Sequence, residues 1–265
     1  MKKIISSILV SIFLIGCGGS SASDPQAKAE TKSDDKKQAL VTDKDGKVKT
    51  IKLSGSAEAI TLSKDALFVA KGEDGVEIVK IGYEDSISSE LIGVIDGINA
   101  KSLSLSEDES KLYVENEQGF INIINISNLS SPVKESVTTK QEIQKFTTTK
   151  DKNYEFRPKG RDGLEIYDIS NPASPTLSHT FDKSNAYDIV LADNDTKALV
   201  AAGETGINLL DITTITQPNM IVNFEVQGGV KGLSLNKDEG LLFVANGDNG
   251  VLIYSLNVML DKVIK

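Results

Sequence analysis

Residues 163–175, Gly-Leu-Glu-Ile-Tyr-Asp-Ile-Ser-Asn-Pro-Ala-Ser-Pro, decide the fold. They read as a glycine turn, a short strand alternating through Leu164, Ile166, Tyr167 and Ile169, and a loop in which two prolines end strand pairing. The same phrase is written four more times, as GVEIVKI at 75–81, FINIINIS at 120–127, GINLLDIT at 206–213 and GVLIYSLN at 250–257. Self-similarity at a fixed period outranks any local reading and sets the architecture.

Three markers give the period. The turn motifs LSKD, LSED, TTKD, LADND and LNKD begin at Leu62, Leu105, Thr148, Leu191 and Leu235, in steps of 43, 43, 43 and 44. Pro132, Pro175 and Pro218 are also 43 apart. Gly75, Gly119, Gly163, Gly206 and Gly250 step by 43 or 44. Within a unit, four segments of 4–8 β-branched or aromatic residues alternate with Gly, Pro, Asn and Asp, the pattern of strands and turns. Stretches such as 121–126 (INIINI) and 241–245 (LLFVA) are apolar on both faces, so both faces must be covered. Four-stranded meanders of about 43 residues stacked around an axis meet that demand. The expected fold is all-β: a five-bladed β-propeller.

The ends of the chain predict how the ring closes. The fifth unit runs out where its fourth strand should begin. Residues 50–55 (TIKLSG) align with 223–228 (NFEVQG), the fourth strand of unit four. An N-terminal outer strand at 48–53 should therefore pair with 250–256 and complete the fifth blade, which removes open strand edges. The propeller is expected over 47–257, with a C-terminal tail at 258–265.

The first residues belong to export. Lys2 and Lys3 precede an apolar run, Ile4 to Ile15, too short to span a bilayer. It ends in Leu14-Ile15-Gly16-Cys17, which resembles the bacterial lipobox. That resemblance implies a signal peptide over 1–16 and a lipidated Cys17. Cys17 is the single cysteine, so no internal disulfide is possible. Gly18 is not the aspartate that resembles an inner-membrane retention signal, which points to the outer membrane or cell surface of a bacterial envelope. Residues 17–46, rich in Ser, Ala, Lys and Asp, read as a tether too polar to offset its ordering entropy. The chain carries a net charge of −9, which argues against nucleic acid as a partner.

Val69-Ala70, Val200-Ala201 and Val244-Ala245, each followed by a short glycine loop, together with the phrase at 163–175, resemble the LVIVD repeat family. The resemblance covers about residues 58–257, is closest in the third unit, and is weakest in the second. It implies an exported or surface-attached protein whose repeats are propeller blades. It supplies no catalytic residues.

No residue pattern points to catalysis, a cofactor or a metal centre. His179 is the only histidine and lacks a partner motif; His or Cys clusters for zinc or copper are absent. Asp193-Asn194-Asp195 and Asp248-Asn249 could ligate calcium but lack its full ligand spacing. There is no Trp, and aromatics do not recur at one loop position, which weakens a lectin reading. The expectation is a non-enzymatic platform for a protein or small ligand. The alternative is a metal-assisted hydrolase, which requires three or more carboxylates converging at a channel mouth. Departures from the repeat are the signal left for a site. Glu115 and Arg157 stand at the second-strand end, in the place where the other units carry Ala70, Ala201 and Ala245. Arg157 and Arg161, the only arginines, flank Lys159 in what reads as the longest of the loops. These four residues are the candidate site, either a structural Glu115–Arg157 pair or a dock for a carboxylate or acidic partner.

Overall fold

The computed structural model describes residues 42–43, 46–84, 86–138 and 146–261. It is a five-bladed β-propeller of antiparallel four-stranded sheets. Blade one is β2 (Ala59–Leu62), β3 (Leu67–Ala70), β4 (Val76–Gly82) and β5 (Ser88–Ile95). Blade two is β6 (Ala100–Leu105), β7 (Lys111–Asn116), β8 (Ile121–Asn125) and β9 (Val133–Thr138). Blade three is β10 (Thr147–Thr148), β11 (Tyr154–Pro158), β12 (Leu164–Asp168) and β13 (Thr176–Phe181). Blade four is β14 (Asp188–Ala192), β15 (Lys197–Ala201), β16 (Ile207–Asp211) and β17 (Asn219–Phe224). Blade five is β18 (Gly232–Asn236), β19 (Leu241–Ala245), β20 (Val251–Ser255) and, as its outer strand, β1 (Lys47–Ile51).

The closing strand pairs as its sequence predicts, with Thr50 opposite Leu252 and Ile51 opposite Val251. The join is reinforced on its inner side. The buried Lys71 ammonium donates to Glu77 at 2.6 Å, to the Ser54 hydroxyl at 2.9 Å and to the Ser54 carbonyl at 3.1 Å. The lysine of blade one thus holds the segment that leaves the closing strand. After β20 the chain forms a short helix, α1 (Leu256–Asp261). Leu256 and Met259, three apart and so on one helical face, are buried in the core of blades four and five.

The recurring Asp-Ile-Ser/Thr phrase has a local cause. Asp168 accepts the backbone N–H of Ser170 at 2.9 Å, Asp211 that of Thr213 at 2.9 Å, and Asn125 that of Ser127 at 3.0 Å. Each is an Asx turn that ends the third strand and starts the crossing to the fourth.

Apolar side chains fill the seams between blades. Buried clusters join blades five and one (with Ile51, Phe243 and Ile60), one and two (Phe68, Leu112), three and four (Phe156, Leu199's neighbour Ala198, Leu210), and four and five (Leu209, Leu242). Among the described residues, no buried apolar cluster joins blades two and three. The backbone stitches the seams as well. Beyond the last rung that pairs the second strand with the third, the connecting loop has five residues in every blade: 71–75, 116–120 (its first residue, Asn116, still paired to β6), 159–163, 202–206 and 246–250. Its second residue exchanges hydrogen bonds with the next blade, as Gly72 with Ala100, Gly160 with Ala186, Gly203 with Val230 and Gly247 with Ala57. These four glycines have φ between +54° and +68°, a conformation costly for a residue with a Cβ.

Candidate functional site

The five loops between second and third strands open on one face of the ring, around the mouth of the channel. Just inside them sits one residue at the start of four of the inner strands, with steps of 43, 86 and 44: Glu58 before β2, Lys101 as the second residue of β6, Tyr187 before β14 and Lys231 before β18. These four residues line a cavity of about 620 Å³, together with Arg161 and Glu204 from the loops of blades three and four. Three cations and two carboxylates thus meet at the mouth of a protein whose net charge is −9. Lys231 and Glu58 pair across the seam of blades five and one at 2.7 Å. Burial disfavours the charged Glu58 carboxyl, but the hydrogen bond and charge of Lys231, with Ser56 and Lys101 adding, outweigh it and hold the group below the ordinary carboxylate range. Lys101, Arg161 and Glu204 make no ion pair within 4.0 Å among the described residues. Tyr187 completes the wall. Its ring lies so close to Gly203 that a Cβ there would come within 2.8 Å of it.

Of the four residues singled out from the sequence, only Arg161 reaches this mouth. Arg157 belongs to a polar ladder on its own blade. In the register of β11 and β12, Glu155 faces Tyr167 and Arg157 faces Glu165. The Arg157 Nε–H donates to Glu155, two residues back on the same strand and therefore on the same face. Its guanidinium lies 4.0 Å from the centre of the Tyr167 ring, a cation–π contact. The Tyr167 hydroxyl donates to Glu165 at 3.2 Å, and Lys159 stands 3.7 Å from the same carboxylate. This corrects the expectation of a Glu115–Arg157 pair: among the described residues no such ion pair forms, because a carboxylate from the same strand takes the arginine.

Two registers in the sequence reading are also corrected. The loop holding Lys159 and Arg161 is as long as the other four. Arg157 is not the counterpart of Ala70, Ala201 and Ala245; Pro158 is, as the residue paired with the first position of the third strand. A proline at the last rung withholds no needed donor, so the strand continues through it. Glu115, paired with Ile121, does hold the alanine position. Alternate residues on these strands face opposite seams. Val114 packs into the seam with blade one, and Phe156 and Ile166 pack into the seam with blade four. Glu115 and Arg157 therefore lie on the two sheet faces that meet between blades two and three. This is the seam without an apolar cluster.

The other candidates have structural partners. Asp195 accepts the Lys150 backbone N–H at 2.6 Å and Asn194 accepts its ammonium at 2.9 Å, which ties the hairpin of blade three to blade four. Asn249 donates to the Gln227 carbonyl at 3.0 Å. His179 is half-buried on the outer strand β13, opposite Ile166. Among the described residues, no three His, Cys, Asp or Glu side chains are placed to hold a metal. Cys17, the rest of 1–41, and Lys44 and Asp45 lie outside the described residues.

Below the mouth, the residues lining the channel include one equivalent position from every blade: Thr61, Ser104, Thr147, Val190 and Ser234. They are spaced 43, 43, 43 and 44 apart. Both rings were available to sequence reasoning. Along each repeat the period locates strands; across repeats at one position, it lists the residues that surround the axis.

The LVIVD repeat profile matches residues 99–139 and 157–183, that is, blade two and most of blade three. Blade two, the weakest match by eye, is thus among the repeats identified. No curated protein matches the chain in sequence. Solved structures of similar shape include a chain from "Crystal Structure of Mitotic Checkpoint Complex", with TM-score 0.57 and 11% identity over 83% of this chain and 97% of that one. U3-55K follows with TM-score 0.55 and 11% identity, over 78% and 97% of the two chains. The WD40 repeats of RRP9 give 0.54 and 9%, over 78% and 96%. At these identities the likeness is one of fold.

Proposed function

We propose that this LVIVD-repeat β-propeller is a non-enzymatic binding module of the bacterial cell envelope. It is anchored through a lipid on Cys17 and presents its loop face to a protein or small-molecule ligand. The observation that carries the binding reading is the mouth itself: an open cavity of about 620 Å³ in which Lys101 and Arg161 have no ion-pair partner among the described residues. Cavities of this size suit small ligands or a projecting side chain of a larger one.

The direction in which the chain enters the fold supports the anchoring. Gly46, which precedes β1, accepts the Ser255 N–H at 2.8 Å, and Leu256 donates to Gly240 at 2.8 Å. Gly46, α1 and the hairpin of blade five therefore share one face. The loops that form the mouth are at the opposite ends of the strands. A tether joining the fold at Gly46 leaves the mouth on the side away from its point of attachment, which is the arrangement a membrane-held receptor needs.

The test is fractionation joined to capture. The wild-type protein should remain with membranes after a high-salt wash, and Cys17→Ser should release it or stall the precursor. The immobilised protein should retain a component of an envelope extract. Membrane retention of Cys17→Ser would overturn the anchor, and failure to retain any component would overturn the module.

A further inference from the structure

We infer that the loop-face mouth binds a small, multiply charged oxyanion, a di- or tricarboxylate or a phosphate ester, through Arg161 and Lys101. The inference rests on the loop face being the binding face and names the ligand class it takes.

Three observations lead there. First, the two cations come from adjacent blades, Lys101 near the start of β6 and Arg161 from the loop of blade three, and both border one cavity. Among the described residues neither has an ion pair within 4.0 Å, whereas the third cation, Lys231, is already neutralised by Glu58 at 2.7 Å. The charge available to a ligand is therefore concentrated on one side of the mouth. A guanidinium offers a planar fork suited to carboxylate or phosphate, and an ammonium adds a point charge to a second anionic group.

Second, the surroundings select for size. Glu58 and Glu204 border the same mouth, and the chain as a whole carries −9. An acidic macromolecule would bring its charge against that field, and like-charge juxtaposition works against association. A small anion meets only the local group of three cations and two carboxylates. The volume of about 620 Å³ is in the range of small-ligand pockets.

Third, part of the wall is fixed before any ligand arrives. Gly203 and Gly160 are stitched to the next blade through Val230 and Ala186, and the Tyr187 ring rests against Gly203. Arg161 follows Gly160 directly, so its backbone is held by the same bridge. A site on fixed backbone loses less entropy on binding.

The experiment is calorimetric titration of the purified full-length protein with succinate, citrate, inorganic phosphate and a hexaglutamate peptide. At least one small anion should bind saturably with one site per chain. Arg161→Gln should weaken it by about tenfold or more, the scale of a charge-assisted hydrogen bond. Lys159→Gln, whose ammonium faces Glu165 and not the mouth, should change affinity by less than about twofold. A preference for phosphate over succinate and citrate would assign a phosphate ligand, and the reverse a carboxylate. Absence of binding by all three small anions, an unchanged affinity in Arg161→Gln, or tighter binding of hexaglutamate would overturn the inference. Capture from envelope extract, run in parallel on wild type and Arg161→Gln, separates the two failures. If both proteins capture equally and no small anion binds, the anion site falls and the binding module stands. If neither captures anything and no anion binds, the module falls with it.

Discussion

Replacing Ile51 by Ala tests the closure of the ring at one side chain. Ile51 is 7% exposed and lies in the cluster that joins blades five and one, with Val251, Ile253, Phe243 and Ala57. Ile→Ala in a core costs about 2–5 kcal/mol, the spread reflecting how far the site can collapse. Ile51 is on the outermost strand, where the backbone can relax, so the lower part of that range applies, about 2–3 kcal/mol. For domains of this size each kcal/mol shifts Tm by about 2–4 °C. The expected fall is therefore about 4–12 °C, read by calorimetry or circular dichroism. Removing residues 1–41 should leave Tm unchanged, because pairing starts at Gly46. Removing residues 1–53 should cost more than Ile51→Ala, since it also uncovers the edge of β20 and leaves Ser54, the partner of Lys71 and Glu77, as an untethered chain end. A peptide of residues 46–53 added in trans should restore part of that loss. If Ile51→Ala and the truncation to residue 54 both melt with the wild type, the closing strand contributes nothing and the ring is held otherwise.

Two further outcomes follow from the side-chain geometry. Arg157→Ala should destabilise the domain by about 1–3 kcal/mol, less than a fully buried pair because the arginine is 24% exposed; Glu155→Ala should rescue much of that loss and Glu115→Ala none of it, which a double-mutant cycle in denaturant would measure. The acid limb should come from the turn carboxylates. Hydrogen bonds from the Thr213 hydroxyl and N–H, with Lys197, lower Asp211 to about 2, and the Ser106 and Ser110 groups lower Asp108 to about 2. A folded value below the unfolded one near 3.8 means that their stabilisation is complete above about pH 4 and is lost as pH falls toward 2. Tm should be flat above that window and fall within it, and Asp211→Asn should flatten part of the fall.

The fold was legible because a period constrains every repeat at once. Even the closing strand β1 could be found, since residues 50–55 repeat 223–228, the end of the fourth strand of blade four and the segment that follows it. Helix α1 could not. Six residues give too short a run for a helical period, and its two buried positions, Leu256 and Met259, look the same as the end of a strand. Loop length is hidden in the sequence because glycine is not a fixed ruler. Blade two places its glycine at the fourth loop position, Gly119, whereas the others place one at the fifth. Pro158 adds to this, since a proline reads as loop although the last rung of a strand accepts it. Only the backbone register shows that all five loops are equal.

What a period cannot supply is the choice of partner for a buried polar group. One rung on the third strand is polar in four blades: Glu77, Asn122, Glu165 and Asn208, each opposite the second-strand position held by Val69, Val114, Arg157 and Val200. Blade five places Leu252 opposite Val244. The solutions differ. Glu77 takes Lys71, Asn122 donates to the Val114 carbonyl at 3.3 Å, Glu165 takes Tyr167 and Lys159, and Asn208 bridges Ser184 and Asn223. Burying such a group is tolerable only when it is satisfied, and any local geometry that satisfies it serves the fold equally. The repeat can therefore drift at this rung while the backbone stays fixed. In blade three the drift has replaced an apolar valine by Arg157, and the seam with blade two is polar there instead of greasy. The same freedom acts at the mouth, where the ring of residues at the start of the inner strands carries Glu58, Lys101, Tyr187 and Lys231 on equivalent backbone. A symmetric scaffold acquires an asymmetric site in this way: the repeat fixes where the side chains converge, and unequal drift between blades decides which charges they bring.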